Sequence, residues 1–437
     1  MIPLLLEEVS ALCPGRLEAA PWADRVTGVK IDSRRIDEGD LFVAVGSGAE
    51  FGKHAVARGA AATLVPDEPF AAMAALGRAV REQSSARVVG ITGSTGKTST
   101  KDILAGLCGP HRRTVAAEAS YNAELGVPLT LCRLEEETEL CILELAMRGF
   151  GQIAELCRIA RPELGLITNI APVHLEFVGS TEGVARAKAE LLDALPAGGT
   201  AVVPTGAPEL EPFLTRADLT LVRFGEGGDV RLTGFEREDG HARLGVATGG
   251  QEVELELPIT ARYQAQNALA AVAVYRALGL PLDELGLGAG DVAFSRWRGE
   301  ERPLPGGGLL INDCYNANPV SLRAALDHLD ERAGARRKVA VLGEMAELGP
   351  GAPEYHREVG AHAAAVGVAV LVGVGAGSRA YLLDVGGRIP EARWVPSAAT
   401  AVEAVTALLQ PGDCVLLKGS RSVGLELVAD ALTLVAA

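Results

Sequence analysis

Lysine is scarce in this chain: of the 41 basic side chains only seven are lysine. A sequence that writes arginine wherever positive charge is merely wanted keeps its lysines for positions where arginine will not serve, which marks Lys97, Lys188 and Lys418. Basic excess is missing too. The 56 acidic residues leave a net charge of −15, which argues against a general nucleic-acid binder, since that needs a basic face to displace counterions. Anionic small molecules stay open, because a local pocket of arginine and backbone N–H groups overrides the global field. The seven cysteines are scattered, odd in number and without a C-x-x-C pair. They fit free thiols in a reducing cytosol better than a disulfide framework or a zinc site. No long apolar run goes unbroken. The most apolar, "VGAHAAAVGVAVLVGVGAG", is interrupted by His362 and several glycines and reads as a helix followed by a buried strand. "MIPLLLEEVSALC" lacks a basic start, so a signal peptide is not expected. The expectation is a cytoplasmic protein with no membrane insertion.

Hydrophobic content of 48% and charged content of 22% describe a globular protein, and 437 residues exceed one ordinary core. The pattern predicts an α/β protein of three domains. Residues 1–85 form a small N-terminal α/β domain, with "RVTGVKIDSRRIDEGDLFVAV" as strand, turn, strand and "HAVARGAAATLV" as a short helix entering another strand. Residues 86–297 form a central P-loop domain on a mostly parallel sheet, with strands near "CILELA" and "LGLITNI". The β-rich passage "DVRLTGFEREDGHARLGVATGGQEVELELP" should lie at one edge of it or as a lobe. Residues 298–437 form a C-terminal Rossmann-like domain with strands in "GGLLINDCY", "RKVAVLGEM", "AVLVGVG" and "DCVLLKG".

The stretch "VVGITGSTGKT" is the sharpest local signal. An apolar strand runs into a loop bracketed by Gly93 and Gly96, and Lys97 and Thr98 open a helix. The full P-loop pattern has a glycine five residues before Gly96, where this chain has Ile91. The shorter G-x-x-G-K-T keeps the physics: successive N–H groups of Gly93, Ser94, Thr95, Gly96, Lys97, Thr98 and Ser99, at a helix N-terminus of about +0.5 charge, face a phosphate. Lys97 reaches the β- and γ-phosphates and the Thr98 hydroxyl offers a ligand to Mg2+. The bland alternative is a glycine turn before an exposed lysine. No N-K-x-D guanine signal follows, so ATP is the expected nucleotide.

Further along, Asn122 lies in "YNAELGVPLTL", Glu144 in "LELAMRGFGQI", and Asn169, His174 and Lys188 in "ITNIAPVHLEFVGSTEGVARAKAELL". Glu144 and His174 follow buried runs and should emerge at neighbouring strand ends, where open α/β sheets bind ligands. With Thr98 they make a candidate Mg2+ site. Each alone reads as a solvated carboxylate or a loop histidine.

These segments together resemble the ATP-dependent Mur ligases of peptidoglycan synthesis, and "DCYNANPVS", "VLGEMAELG", "LLKGSRS" and "KIDSRRIDEGDLFVAV" extend the resemblance over nearly the whole chain. The D-N-P-R motif of the ligase adding the third peptide residue is absent. The resemblance implies an ATP-dependent amide ligase that forms an acyl phosphate. The later segments imply UDP-N-acetylmuramoyl-tripeptide and D-alanyl-D-alanine as substrates, acted on by a monomer. It implies that Lys97 holds the γ-phosphate, that Thr98, Glu144 and His174 hold metal ions, and that Lys188 is carbamylated to support a second Mg2+. The plain alternative for Lys188 is a helix-face lysine beside Glu190. Asn267 is implied near the adenine, although Tyr263 and Gln264 replace the first two residues of the family pattern H-N-x-x-N. Arg298 is implied on the nucleotide phosphates, with Trp297 where the family has glycine. Asp313 is implied at the ribose, with Tyr315, Asn316 and Asn318 lining the closed cleft. The "YNANP" segment also reads as a helix-initiating turn. Ser33, Arg34 and Asn122 are implied on the nucleotide-peptide side, and Lys418 and Ser420 should face the cleft. A sister amide ligase, or a folylpolyglutamate-synthase relative, stays open at this point. So does a P-loop nucleotide switch acting on a protein, which would leave Glu144 and His174 without a role.

Overall fold

The structure, a computed structural model, describes residues 1–238 and 240–434. Its largest element is a nine-stranded sheet. The strand order is Thr114–Ala116, Leu140–Glu144, Arg87–Thr92, Leu164–Ile167, Thr200–Pro204, Thr220–Phe224, Val230–Glu238, His241–Thr248 and Gln251–Leu257. Pairing is parallel as far as Val230–Glu238 and antiparallel for the last two strands. The β-rich passage therefore does lie at one edge. The inner strands are mostly apolar and, apart from Arg87 at the start of one, buried, as a sheet covered on both faces requires.

Arg87–Thr92 comes first in this sheet, yet it lies in the middle. The chain next fills positions on one side of it (Thr114–Ala116, Leu140–Glu144) and then crosses to the other (Leu164–Ile167). The strand order thus reverses at Arg87–Thr92, and the crevice at the carboxyl ends of such strands is where α/β sheets bind ligands. Residues 93–98, Glu144 and residues 168–174 all leave from those ends.

A six-stranded sheet follows in the order Glu300–Leu304, Gly308–Asn312, Cys414–Lys418, Lys338–Gly343, Val370–Val374 and Glu391–Val395. All but the first strand are parallel. Its carboxyl ends carry Asp313, Lys418 and Glu344. Two of its strands escape a reading by pattern. Glu300–Leu304 holds three charges and Pro303, which a sheet tolerates only at an edge. Glu391–Val395 alternates poorly and closes the other edge.

The N-terminal residues build a four-stranded sheet in the order Gly15–Ala19, Ala62–Pro66, Asp40–Val43 and Gly28–Lys30. This unit does not stand apart. Helix Pro69–Gln83 buries Ala72, Met73, Leu76 and Val80 in the same apolar cluster as Val127, Leu131, Ile153 and Leu156 of the central unit. Each such aliphatic side chain contributes about 1.5–3 kcal/mol on burial. The backbones approach so closely at Gly77 that an added Cβ would lie 2.8 Å from Pro128 Cα. Among the described residues no helix is long and apolar enough to cross a membrane.

Gly77 sits inside a helix, where alanine is ordinarily better by about 1 kcal/mol. Here the contact is backbone against backbone and has little room to yield, so overpacking of roughly 1–3 kcal/mol opposes that gain. Gly77→Ala should lower the urea midpoint of the N-terminal and central units. An unchanged or raised midpoint would show that the two helices move apart freely.

Candidate functional site

The phosphate loop is held from below by the strand beside it. Ser94 N–H donates to the Asn169 carbonyl at 3.1 Å, Thr95 N–H to Asn169 Oδ1 at 2.8 Å, and Thr168 Oγ1 to the Thr95 carbonyl at 2.5 Å. The Asn169 amide also reaches Thr95 Oγ1, and Ser94 Oγ exchanges hydrogen bonds with Ala171. Gly96 caps helix Lys97–Cys108 at φ 78°, and a Cβ there would collide with Asn267 Oδ1. Glycine is needed twice over, for the left-handed backbone and for the space. Asn267 is thereby brought directly against the loop.

Two more strand ends converge on Thr98. Its hydroxyl donates to Glu144 Oε2 at 2.7 Å and lies 3.3 Å from Ser120 Oγ. Asn122 Nδ2 donates to Glu144 Oε1 at 2.8 Å, so Asn122 first of all orients this carboxylate. Glu144 is 2% exposed, which rules out a solvated surface carboxylate. Lys97 Nζ donates to the Gly93 carbonyl at 2.7 Å. Desolvation pushes its pKa below the usual 10.5, Glu144 opposes that shift, and Arg298 adds to it.

Lys188 lies on helix Thr181–Asp193 and is buried, so the surface-lysine alternative falls. Burial, and then repulsion from Lys97, holds its pKa well below 10.5. Glu190, its neighbour in sequence, instead accepts from the Gly151 and Ala154 N–H groups.

The C-terminal sheet closes the other side. Arg298 donates to Ser120 Oγ at 2.9 Å, stacks 4.0 Å from the centre of the Tyr315 ring, and has a buried Nε without a partner. Trp297 adopts φ 64°, the conformation a glycine would take, with its ring beside Arg296 and Arg421. Asp313 accepts from Lys418 Nζ at 2.5 Å, and Lys418 also donates to the Asn316 carbonyl at 3.1 Å. Tyr263 hydrogen-bonds Asp313; burial chiefly, and then that carboxylate, drive the phenol well above pKa 10. Gln264 turns back to accept from the Thr260 and Ala261 N–H groups. Asn318 caps helix Pro319–Ala333, its Oδ1 accepting from Ser321 N–H, and Asn316 Oδ1 accepts from Ala317 N–H. Their side-chain oxygens are therefore engaged by backbone, as the helix-initiating reading of "YNANP" required. Ser420 accepts from Ala346 N–H and fixes the turn after Gly343.

His174 stands at φ 55°, and its Nδ1 meets the carboxylate of Glu347 on that same turn. Burial lowers its pKa below 6.5, Glu347 opposes the shift, and Lys188 adds to it.

A cleft of about 920 Å³ between the central and C-terminal sheets is lined by Ser94–Ser99, Asn122, Glu144, His174, Asn267, Arg298, Asp313 and Lys418. Lys188 and Ser420 do not line it, so the expectation that Ser420 faces the cleft is not met, its side chain being turned to the Ala346 backbone. Ser33 and Arg34 are not in it. Ser33 Oγ lies 3.0 Å from His54 Nδ1, and Arg34 is forked onto Asp32, which its guanidinium holds far below the usual carboxylate range. The fork of Arg34 is thus taken in this structure by a carboxylate two residues away. Pattern reading gave no role to Ser120 or Glu347. Glu347 lies in "VLGEMAELG" and Ser120 just before "YNAELGVPLTL", but only the fold brings them to His174 and Thr98.

Among the described residues no three His, Cys, Asp or Glu side chains gather as a self-contained metal site. The oxygen donors Thr98 and Glu144 beside an anion cradle fit Mg2+, which takes few protein ligands and completes its shell with phosphate and water. The unpaired Arg298 Nε and the loop N–H groups fit the phosphates of a nucleotide.

Comparison with known proteins agrees with this chemistry. Residues 91–275 match the Mur ligase middle domain, and residues 297–421 match the Mur ligase glutamate ligase domain. The chain is 34% identical to the UDP-N-acetylmuramoyl-tripeptide–D-alanyl-D-alanine ligase of Mycobacterium bovis, over 99% of this chain and 98% of that protein. The crystal structure of MurF from Acinetobacter baumannii superposes with a TM-score of 0.86 at 29% identity, covering 99% of each chain. The MurF ligase of Thermotoga maritima in complex with ADP gives 0.77 at 26% identity, over 93% of this chain and 96% of that one.

The turn that carries Glu347 depends on a buried neutral histidine. His356 Nε2 accepts from Met345 N–H at 2.9 Å, while Nδ1 donates to the Ala352 carbonyl at 2.6 Å. Burial lowers its pKa below 6.5. The folded value lies under the unfolded one, so its contribution is complete above about pH 6.5 and is lost as pH falls toward the folded pKa. The thermal midpoint should therefore decline below about pH 6.5, and less steeply in His356→Gln, which keeps an acceptor but does not titrate. Equal slopes in the two proteins would remove His356 from the acid sensitivity.

Proposed function

The chain belongs to the Mur ligase family, and from that premise we infer that it is the ATP-dependent ligase joining D-alanyl-D-alanine to UDP-N-acetylmuramoyl-tripeptide in peptidoglycan synthesis. Full-length identity with curated ligases of that name supports the substrates. The single observation that carries the chemistry is the shared cleft, where a phosphate loop, a carboxylate and an imidazole from one sheet face Arg298, Asp313 and Lys418 from the other.

In this reading the carboxylate ending the tripeptide attacks the γ-phosphorus of ATP and ADP leaves. The amine of the dipeptide then attacks the acyl carbon and phosphate departs, so one amide forms for one ATP cleaved. Lys97 and the loop N–H groups neutralise the phosphates. Thr98 and Glu144, with His174, would hold Mg2+, which supplies charge between two reacting anions. A buried lysine pushed toward its neutral form is a nucleophile for CO2, and a carbamate on Lys188 would offer an oxygen ligand to a second Mg2+. Asn267 and Asp313 would take the adenosine and Arg298 the phosphates; the 298–437 unit would bring Arg298 and Asp313 onto ATP by closing and would hold the dipeptide. That closure excludes water from the acyl phosphate. The 1–85 unit, with Ser33, would hold the uridine diphosphate, and Arg34 would have to exchange Asp32 for a phosphate. One chain carries the whole motif set, which supports action as a monomer, and the nucleotide substrates support a cytoplasmic location.

Phosphate release from ATP and Mg2+ should require both UDP-N-acetylmuramoyl-tripeptide and D-alanyl-D-alanine, with a product heavier by the dipeptide less water. Turnover with a single amino acid in place of the dipeptide would keep the ligase and change its substrate. Turnover with neither would overturn the reading. Lys188→Arg keeps a cation but forms no carbamate, and should lower kcat by about 10²-fold or more. Near-normal kcat in that variant would exclude the carbamate.

A further inference from the structure

The motif "VLGEMAELG" has been given no role beyond its strand, yet its Glu347 is the C-terminal residue that touches the candidate cation site. The contact is built from both sides. On one, the turn after Lys338–Gly343 is fixed by Ser420, which accepts from Ala346 N–H at 2.9 Å and donates its own N–H to the Glu344 carbonyl at 3.1 Å. His356 accepts from Met345 N–H within the same turn. On the other, His174 directly precedes the short helix Leu175–Val178, and Glu176 N–H donates to the Glu347 carbonyl at 3.3 Å. Gly349 lies against the Glu176 backbone. The two facing residues both have positive φ, 55° and 62°, which non-glycine residues adopt only where the surroundings hold them there. Glu347 Oε2 meets His174 Nδ1, and Oε1 lies 3.2 Å from Arg148 Nε, on the same side of the cleft as His174.

We propose that Glu347 is a positioning residue through which the docked C-terminal unit completes the cation site, by accepting from His174 Nδ1–H and so leaving the ring's lone pair on Nε2. A carboxylate is an acceptor only, so a neutral imidazole paired with it through Nδ1 must carry its hydrogen there. Carboxylate partners of this kind fix the tautomer and orientation of metal-binding histidines and raise their basicity. The partner here belongs to a different sheet from the histidine. The orientation of His174 is therefore set only while the two units are docked, and metal affinity becomes coupled to closure. The inference rests on reading His174 as a metal ligand.

The test is Mn2+ affinity, read by water-proton relaxation on the full chain with ADP, alongside the Mg2+ concentration giving half-maximal rate. Glu347→Ala should weaken Mn2+ about 10-fold and raise the Mg2+ requirement in step. Glu347→Gln, whose amide oxygen still accepts, should recover most of the loss and also serves should the alanine variant fold poorly. Glu347→Ala should add nothing once His174 is alanine, because it acts through that ring. Wild-type Mn2+ affinity in both Glu347 variants, or additive losses in the double variant, would overturn the proposal while leaving His174 a ligand. Wild-type affinity in His174→Ala alone would instead remove His174 from the metal site, and the proposal with it.

Discussion

Two anions have to meet in this cleft. A carboxylate brought within about 4 Å of a single phosphate charge is repelled by roughly 4 kcal/mol at an effective dielectric near 20, and a γ-phosphate carries more than one charge. Nearly every feature around residues 93–98 answers that constraint. The loop offers N–H groups and a helix N-terminus, Lys97 offers a cation, and Thr98 and Glu144 offer oxygens to a divalent ion. Arg298 approaches from the opposite sheet. Burial makes the arrangement costly as well as effective. Lys97 and Lys188 are each pushed toward the neutral form by burial; the charge of Arg298 reinforces the shift at Lys97, and that of Lys97 reinforces it at Lys188. A site crowded with desolvated lysines is poised for anions and poorly satisfied without them.

Backbone strain is concentrated at the same place. Of the non-glycine residues with positive φ among those described, Ala119 precedes Ser120, the partner of Thr98 and Arg298. His174 and Glu347 face each other across the cleft, and Trp297 immediately precedes Arg298. Only Arg161 stands elsewhere, at a helix C-terminus, where such a residue is ordinary. Left-handed conformations at non-glycine residues cost on the order of 1–3 kcal/mol each. At Trp297 the ring lies beside two guanidinium groups and against the apolar cluster of the C-terminal sheet, contacts no glycine could make. Packing there offsets the backbone.

How far the site could be read in advance follows from which contacts are local. The phosphate loop is a local object: an apolar strand, a glycine turn and a helix start, and its geometry follows the quoted residues closely. Glu144 and His174 were legible as strand ends, because buried runs stop just before them. Lys188 was not settled locally. A charged neighbour at Glu190 suited a lysine on an exposed helix face, and only the packing of Thr181–Asp193 against the central sheet buries it. The partner of Arg34 is local but carries no pattern, a turn two residues long bringing Asp32 onto its guanidinium. Edge strands Glu300–Leu304 and Glu391–Val395 lacked an apolar signature because only one of their sides meets another strand. Ser120 and Glu347 are matters of tertiary placement alone, one on the loop beside Thr98 and the other on a turn of a different sheet.

The helix opened by the phosphate loop does more than point its N-terminus at a phosphate. One turn beyond Thr98 lie Lys101 and Asp102, both buried and paired at 2.7 Å. Lys101 Nζ also donates to the Ala117 and Ala119 carbonyls, holding the segment that presents Ser120. Asp102 Oδ2 accepts from the Ser295 N–H, fixing the chain two residues before Trp297 as it leaves for the C-terminal sheet. A buried ion pair is weak evidence for stability, since desolvation cancels much of its attraction. Here each member has a backbone partner that must sit in one place. A helix shift that followed phosphate binding would therefore move three things together: the loop, Ser120, and the linker that carries Arg298. One helix thus carries in its first turn the groups that face the cleft, and in its second the contacts that hold Ser120 and the segment leading to Arg298.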